Sequence, residues 1–208
     1  MLITISGMVG SGKSTTADVM MDSLSGAGLK PQYLRFRYLG LLGFSRTGRS
    51  QPDPQDGAER SGQRGRGFAL RQLTPALALG YAGRILAFRF SRIGNPSRCD
   101  ILDRYFYDNF VHYRLTSKAE RFYAWVLRQL IPRPDAAILL VASAETISSR
   151  RPNYANEYVV TVGRQYLQLE KLFPHLIPIR TDAGSSAHDQ IRRIAESLTA
   201  GGRRSSRY

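Results

Sequence analysis

Eight residues near the start of the chain, Gly7-Met8-Val9-Gly10-Ser11-Gly12-Lys13-Ser14, have the types and spacing to hold a polyphosphate. They fit G-x-x-x-x-G-K-[ST], in which a glycine-rich turn aims backbone N–H groups inward and the following helix adds its positive end. Glycine is required because the backbone must approach phosphate closely and take φ values closed to other residues. The Lys13 ammonium would reach the β- and γ-phosphates, and the Ser14 hydroxyl would ligate Mg²⁺. Gly7, Gly10, Ser11, Gly12, Lys13, Ser14 and Thr15 are the expected nucleotide-binding residues. A second group, Asp103-Arg104-Tyr105, ends an apolar run. An acid at the carboxyl end of a strand can hold Mg²⁺, directly or through water, or take a proton from a hydroxyl acceptor. Arg104 presents a fixed fork to phosphate. No Cys/His cluster has metal-ligand spacing, so Mg²⁺ would arrive with the nucleotide.

Strands and helices must position these groups. Leu2-Ile3-Thr4-Ile5 reads as a short buried strand leading into the loop. Ala17, Val19, Met20, Met21 and Leu24 suit the helix that leaves it, with Gly26 and Gly28 as stop signals. Tyr33-Leu34-Arg35-Phe36-Arg37 is a candidate second strand. Residues 44–67 lose all periodicity and are rich in Ser, Arg, Gly, Pro and Gln, which predicts a flexible insertion rather than a domain linker. Thr74-Pro75 suits the start of a helix, along which Leu77, Tyr81, Arg84, Ile85 and Phe88 follow at helical spacing. Cys99 to Asp103 reads as a strand, and Ser117-Lys118-Ala119-Glu120 as a capping box opening a helix. Ala136 to Ala142 is a buried strand, followed by a helix from about residue 145, a basic turn at 150–156 and a helix to about residue 173. Leu176-Ile177-Pro178-Ile179 is a last strand, where proline predicts an edge. A helix capped at Ser186 ends the pattern. Strands alternating with helices predict an α/β fold: a roughly five-stranded parallel sheet covered on both faces.

The length of 208 residues suits one domain over 1–200, with residues 201–208 as a disordered basic tail. The single cysteine, Cys99, is read as a buried structural thiol and fits a reducing compartment. The N-terminus runs straight into a strand, and no apolar run reaches membrane-spanning length, so a cytoplasmic protein without a membrane span is expected. The net charge of +14 suits an anion-binding enzyme, a nucleic-acid partner or an acidic surface, and charge alone does not choose among them.

With the loop, Asp103-Arg104-Tyr105 and the later arginines in order, the chain resembles the thymidylate kinase family of nucleoside monophosphate kinases. Leu34-Arg35-Phe36 resembles the segment whose arginine holds the acceptor's phosphate, and Arg84 looks like the second acceptor-site arginine. Arg150 and Arg151, before Asn153 and Glu157, resemble an arginine-bearing lid. Thr181-Asp182-Ala183 resembles the loop bordering adenine, which makes Ala183 a cofactor-site residue. The resemblance implies a three-layer P-loop kinase fold with ATP and Mg²⁺ as cofactors. Lys13, Asp103, Arg104, Arg150 and Arg151 would be catalytic, and Ser14 and Asp103 the metal ligands. Arg35, Arg84, Arg104 and His112 would meet a small anionic acceptor, and a homodimer is compatible with the family.

The departures bear on the acceptor. Val9 stands where the family carries an acid that holds the acceptor sugar, and Gly80 where it carries a phenylalanine that stacks on thymine. Asp108, His112 and Tyr113 replace the Ser, Tyr and Gln that follow the Asp-Arg-Tyr signature. The donor half therefore matches and the acceptor half does not. A P-loop kinase of a nucleoside, a sugar or another acceptor is the alternative. A nucleotide-dependent switch or nucleic-acid-binding ATPase is the rival of another class. Net charge favours that rival, and the lack of an N-K-x-D guanine-reading motif disfavours it.

Overall fold

The run Leu2-Ile3-Thr4-Ile5 forms β1 (Leu2–Gly7), every residue of which is buried. Burial of the whole strand requires cover on both faces and neighbours on both edges, and β1 pairs in parallel with β4 (Cys99–Asp103) and with β5 (Ala136–Val141). This computed structural model describes residues 1–36, 44–46, 82–83, 85–91, 98–112 and 118–205. Its strands make one sheet in the order β3-β2-β4-β1-β5-β6. Strands β2 (Pro31–Phe36) and β6 (Leu176–Arg180) extend the parallel core, whereas β3 (Phe44–Arg46) pairs antiparallel to β2. Pro178 lies on the outermost strand, as its missing N–H predicts.

Two differences from the sequence reading stand out. Residues 44–46 were expected to open a flexible insertion, and they instead form a sheet edge; the rest of 44–67 lies outside the described residues. A three-residue strand is too short to leave a periodic signal, and backbone pairing to β2 holds it regardless of side chain. The last helix also continues to Ser205, past the boundary expected at residue 200.

Helices cover both faces. Along β1 the pleat sends Ile3 and Ile5 to one side, where they meet α1 (Lys13–Gly26) through Ala17, Met20 and Leu24. The last helix, α5 (Ser185–Ser205), adds Ala187, Ile191 and Ala195 to that core. On the other face lie the helical stretch at 85–91, the 3₁₀ helix Phe106–His112, α2 (Lys118–Leu130) and α4 (Asn156–Leu172). The short α3 (Ala144–Arg150) links β5 to the turn before α4. Tyr105, Phe106, Tyr107 and Phe110 are buried here, with edge-on ring contacts between Tyr105 and both Phe106 and Tyr107. Cys99 is buried too. No helix among the described residues is long and apolar enough to cross a membrane.

The order of the sheet fixes where a site can form. From β1 the chain moves first to β2 on one side, and β5 and β6 later fill the other side. Such a reversal leaves a crevice at the carboxyl ends of the strands. The glycine-rich loop leaves the end of β1 and Asp103 ends β4, in adjacent strands.

Candidate functional site

The loop between β1 and α1 is built from backbone conformations that side chains resist. Gly7, Gly10 and Gly12 have φ of 147°, 85° and 94°. A Cβ on Gly7 would lie 2.7 Å from Ser11 Oγ and 2.8 Å from the Leu140 carbonyl oxygen, so the loop is packed against β5. Lys13 turns back over it, donating to the Gly7 and Met8 carbonyls at 3.0 Å each. These are weak neutral acceptors for a full charge, and an incoming phosphate is a stronger one.

A cavity of about 540 Å³ opens above the loop. Val9, Gly10, Gly12, Lys13, Ser14 and Thr15 line its floor, and Asp103 and Arg104 line it from the end of β4. Arg35 enters from β2, and Arg150 and Arg151 from the end of α3. Thr181, Gly184, Ala187 and His188 also line the cavity. The expected residues Gly7 and Ser11 shape the loop from behind without lining the cavity. Arg84 and the side chains of His112 and Ala183 lie outside the described residues; the backbones of the latter two belong to the 3₁₀ segments Phe106–His112 and Thr181–Ala183.

Arg150, Arg104 and Asp103 each have an identifiable anchor. The Ser143 hydroxyl accepts from the Thr146 N–H and caps α3, which sets the direction in which Arg150 emerges. Arg150 Nη1 then donates to the Gly10 carbonyl at 3.2 Å, folding the turn after α3 onto the loop. Arg104 is buried at φ 68°, a strained conformation for a long side chain. Its N–H donates to the Ile5 carbonyl at 2.9 Å, which holds that conformation against β1.

Asp103 is nearly buried, and its two oxygens differ. Oδ2 accepts from the Tyr33 hydroxyl at 2.9 Å and pairs with Arg35 Nε at 3.3 Å. Oδ1 is buried without a hydrogen-bond partner. A buried polar atom left unpaired is costly, and this one belongs to a residue that lines a cationic cavity, so a cation or a donor brought by a ligand would satisfy it. Burial first, and the Asp103 charge next, push the Tyr33 phenol well above its ordinary range, so this hydroxyl stays protonated and donates.

Sequence reasoning missed two residues here. Tyr33 shares a strand face with Arg35, and period-2 spacing was the signal available to find it. Asp108 was noted only as a departure from a family pattern. It is buried, accepting from Ser6 Oγ at 2.5 Å, the Tyr105 N–H at 2.7 Å and the Tyr166 hydroxyl at 3.3 Å. Burial pushes its carboxyl above the ordinary range, against the opposing pull of the Ser6 bond and of the Arg104 charge. Beside it, Thr4 and Tyr107 share a second buried hydrogen bond. No family model matches this chain, and no curated protein does.

Proposed function

We propose that the chain is a P-loop phosphotransferase resembling thymidylate kinase, which moves the γ-phosphoryl group of ATP to a small anionic acceptor. One observation carries this reading. A single cavity gathers Lys13 of the glycine-rich loop, the strand-end Asp103 with its unpartnered oxygen, and Arg35, Arg104, Arg150 and Arg151. Among the described residues lining it, five are cations and one is a carboxylate. Such a lining suits two anionic reactants brought together, because phosphoryl transfer needs positioning and charge neutralisation more than covalent chemistry.

The residues divide the work by position. Backbone N–H groups of Gly10 to Ser14 hold the donor, and Lys13 leaves the loop carbonyls for the β- and γ-phosphates. Ser14 and Asp103 are the residues that would hold Mg²⁺, which when bound offsets charge on the phosphate oxygens. Arg150 and Arg151 close over the transferring group and exclude water. Arg35 and Arg104 fix the acceptor. A phosphate acceptor is already nucleophilic and asks for no strong base; a hydroxyl acceptor would use Asp103. Thr181, which opens the Thr181–Ala183 turn, and His188 line the part of the cavity assigned to the nucleobase.

Val9 supports an acceptor other than thymidylate. It is buried and forms part of the cavity wall, an apolar surface where the resembled family offers a carboxylate to a sugar hydroxyl. The assignment is tested with Lys13→Ala, which should abolish transfer and leave the fold intact by circular dichroism. Turnover at the wild-type rate in that variant contradicts the reading.

A further inference from the structure

Asp103 is the sole carboxylate lining the cavity among the described residues, and Tyr33 and Arg35 both bond to its Oδ2. Those partners, Tyr33 and Arg35, stand two residues apart on β2 and so share a face. The parallel register sets Arg35 directly beside Asp103. The two differ in what else they can do. Arg35 lines the cavity and has N–H groups to offer an anion. Tyr33 does not line the cavity and has a single hydroxyl, whose proton goes to Asp103 Oδ2. Tyr33 therefore meets no reactant itself and acts through the carboxylate, with the Arg35 guanidinium also beside its hydroxyl.

We propose that Tyr33 is a positioning residue that holds Asp103 by Oδ2, leaving the buried, unpartnered Oδ1 as the oxygen offered to the magnesium–nucleotide complex. The inference rests on the phosphotransfer reading above. A carboxylate that swings freely about its Cβ–Cγ bond offers either oxygen; one pinned through Oδ2 offers Oδ1 alone. An anionic acceptor competes with Asp103 for Arg35, and Tyr33 is the contact that persists when Arg35 turns toward it. Hydrogen bonds behind a metal-facing carboxylate orient it in this way and contribute strongly to metal affinity.

The test is a cycle of Tyr33→Phe, Asp103→Asn and the double variant, with ATP affinity measured calorimetrically in Mg²⁺ and in a chelator. Tyr33→Phe should weaken magnesium–ATP binding about tenfold and change magnesium-free ATP binding less than about twofold. In the Asp103→Asn background it should add nothing. In turnover, kcat should fall about tenfold. Equal losses with and without Mg²⁺, or the same loss in both backgrounds, would show that the phenol only packs, and would overturn the proposal. A crystal structure of the wild-type complex with Mg²⁺ and a non-hydrolysable ATP analogue gives a second reading that needs no variant. It should retain the Tyr33–Oδ2 bond with Oδ1 turned to the metal, and Tyr33 rotated away would also overturn it. A wild-type protein with no preference for magnesium–ATP over free ATP is a different failure, because it removes the phosphotransfer reading itself.

Discussion

Gly7 carries more of the site than its lack of a side chain suggests. It sits at φ 147°, and the space a Cβ would need is taken by Ser11 Oγ and the Leu140 carbonyl. Gly7→Ala should therefore lower stability by about 2 kcal/mol or more, read from urea denaturation, because both backbone strain and backbone overlap oppose it. The same variant should lose ATP binding. Arg104 is a second strained residue, and strain of this kind collects where geometry is set by function. At this scale the sequence was informative wherever chemistry is local. The glycine-rich loop and the strand-ending Asp103 were readable because a few adjacent residues carry the whole signal. Asp108 was not, because its partners Ser6 and Tyr166 lie 102 and 58 residues away. Nothing near Asp108 in the chain marks it as buried and bonded.

Elements are tied together by that same carboxylate. Asp108 joins β1 through Ser6, its own 3₁₀ turn through the Tyr105 N–H and α4 through Tyr166. Asp108→Ala leaves these buried donors unpaired and should cost about 3 kcal/mol or more of unfolding free energy, with loss of the cooperative contact between α4 and the sheet. The opposite outcome is expected at Gly163, inside α4, where an added Cβ meets nothing within 4 Å. Gly163→Ala should stabilise by about 0.5–1 kcal/mol, visible as a raised melting temperature, since glycine loses the most freedom in a helix interior. The five parallel strands were legible from their apolar runs and flanking turn residues. The antiparallel β3 was not, because it rests on backbone pairing of three residues inside a polar stretch.

The whole molecule adds its charge and its pH response. With a net charge of +14 and five cations around the cavity, anion binding should weaken as salt rises, which ATP titrations at two ionic strengths will read. Stability should also depend on pH through His175, which precedes β6 at the amino ends of the strands, away from the cavity. Burial first, and then the Arg133 and Arg128 charges, hold its imidazole below the ordinary range. A histidine depressed in the folded state contributes stability that is full above its unfolded value of about 6.5 and is lost as pH falls through that value toward the lower folded one. Urea midpoints should fall between about pH 7.5 and pH 5.5, and His175→Phe, which keeps an aromatic ring beside Tyr107 and Phe173, should reduce that fall.

The central claim is transfer of a phosphoryl group from ATP, and phosphorus NMR of the reaction mixture observes it directly. Wild-type protein with ATP and Mg²⁺ would be offered nucleoside monophosphates, nucleosides and sugars in turn, with Lys13→Ala run beside it. The account predicts that ADP forms in step with a newly phosphorylated product from an anionic acceptor, and that Lys13→Ala yields neither. Tight ATP binding with no phosphorylated product from any acceptor, or product formed equally well by Lys13→Ala, would contradict it.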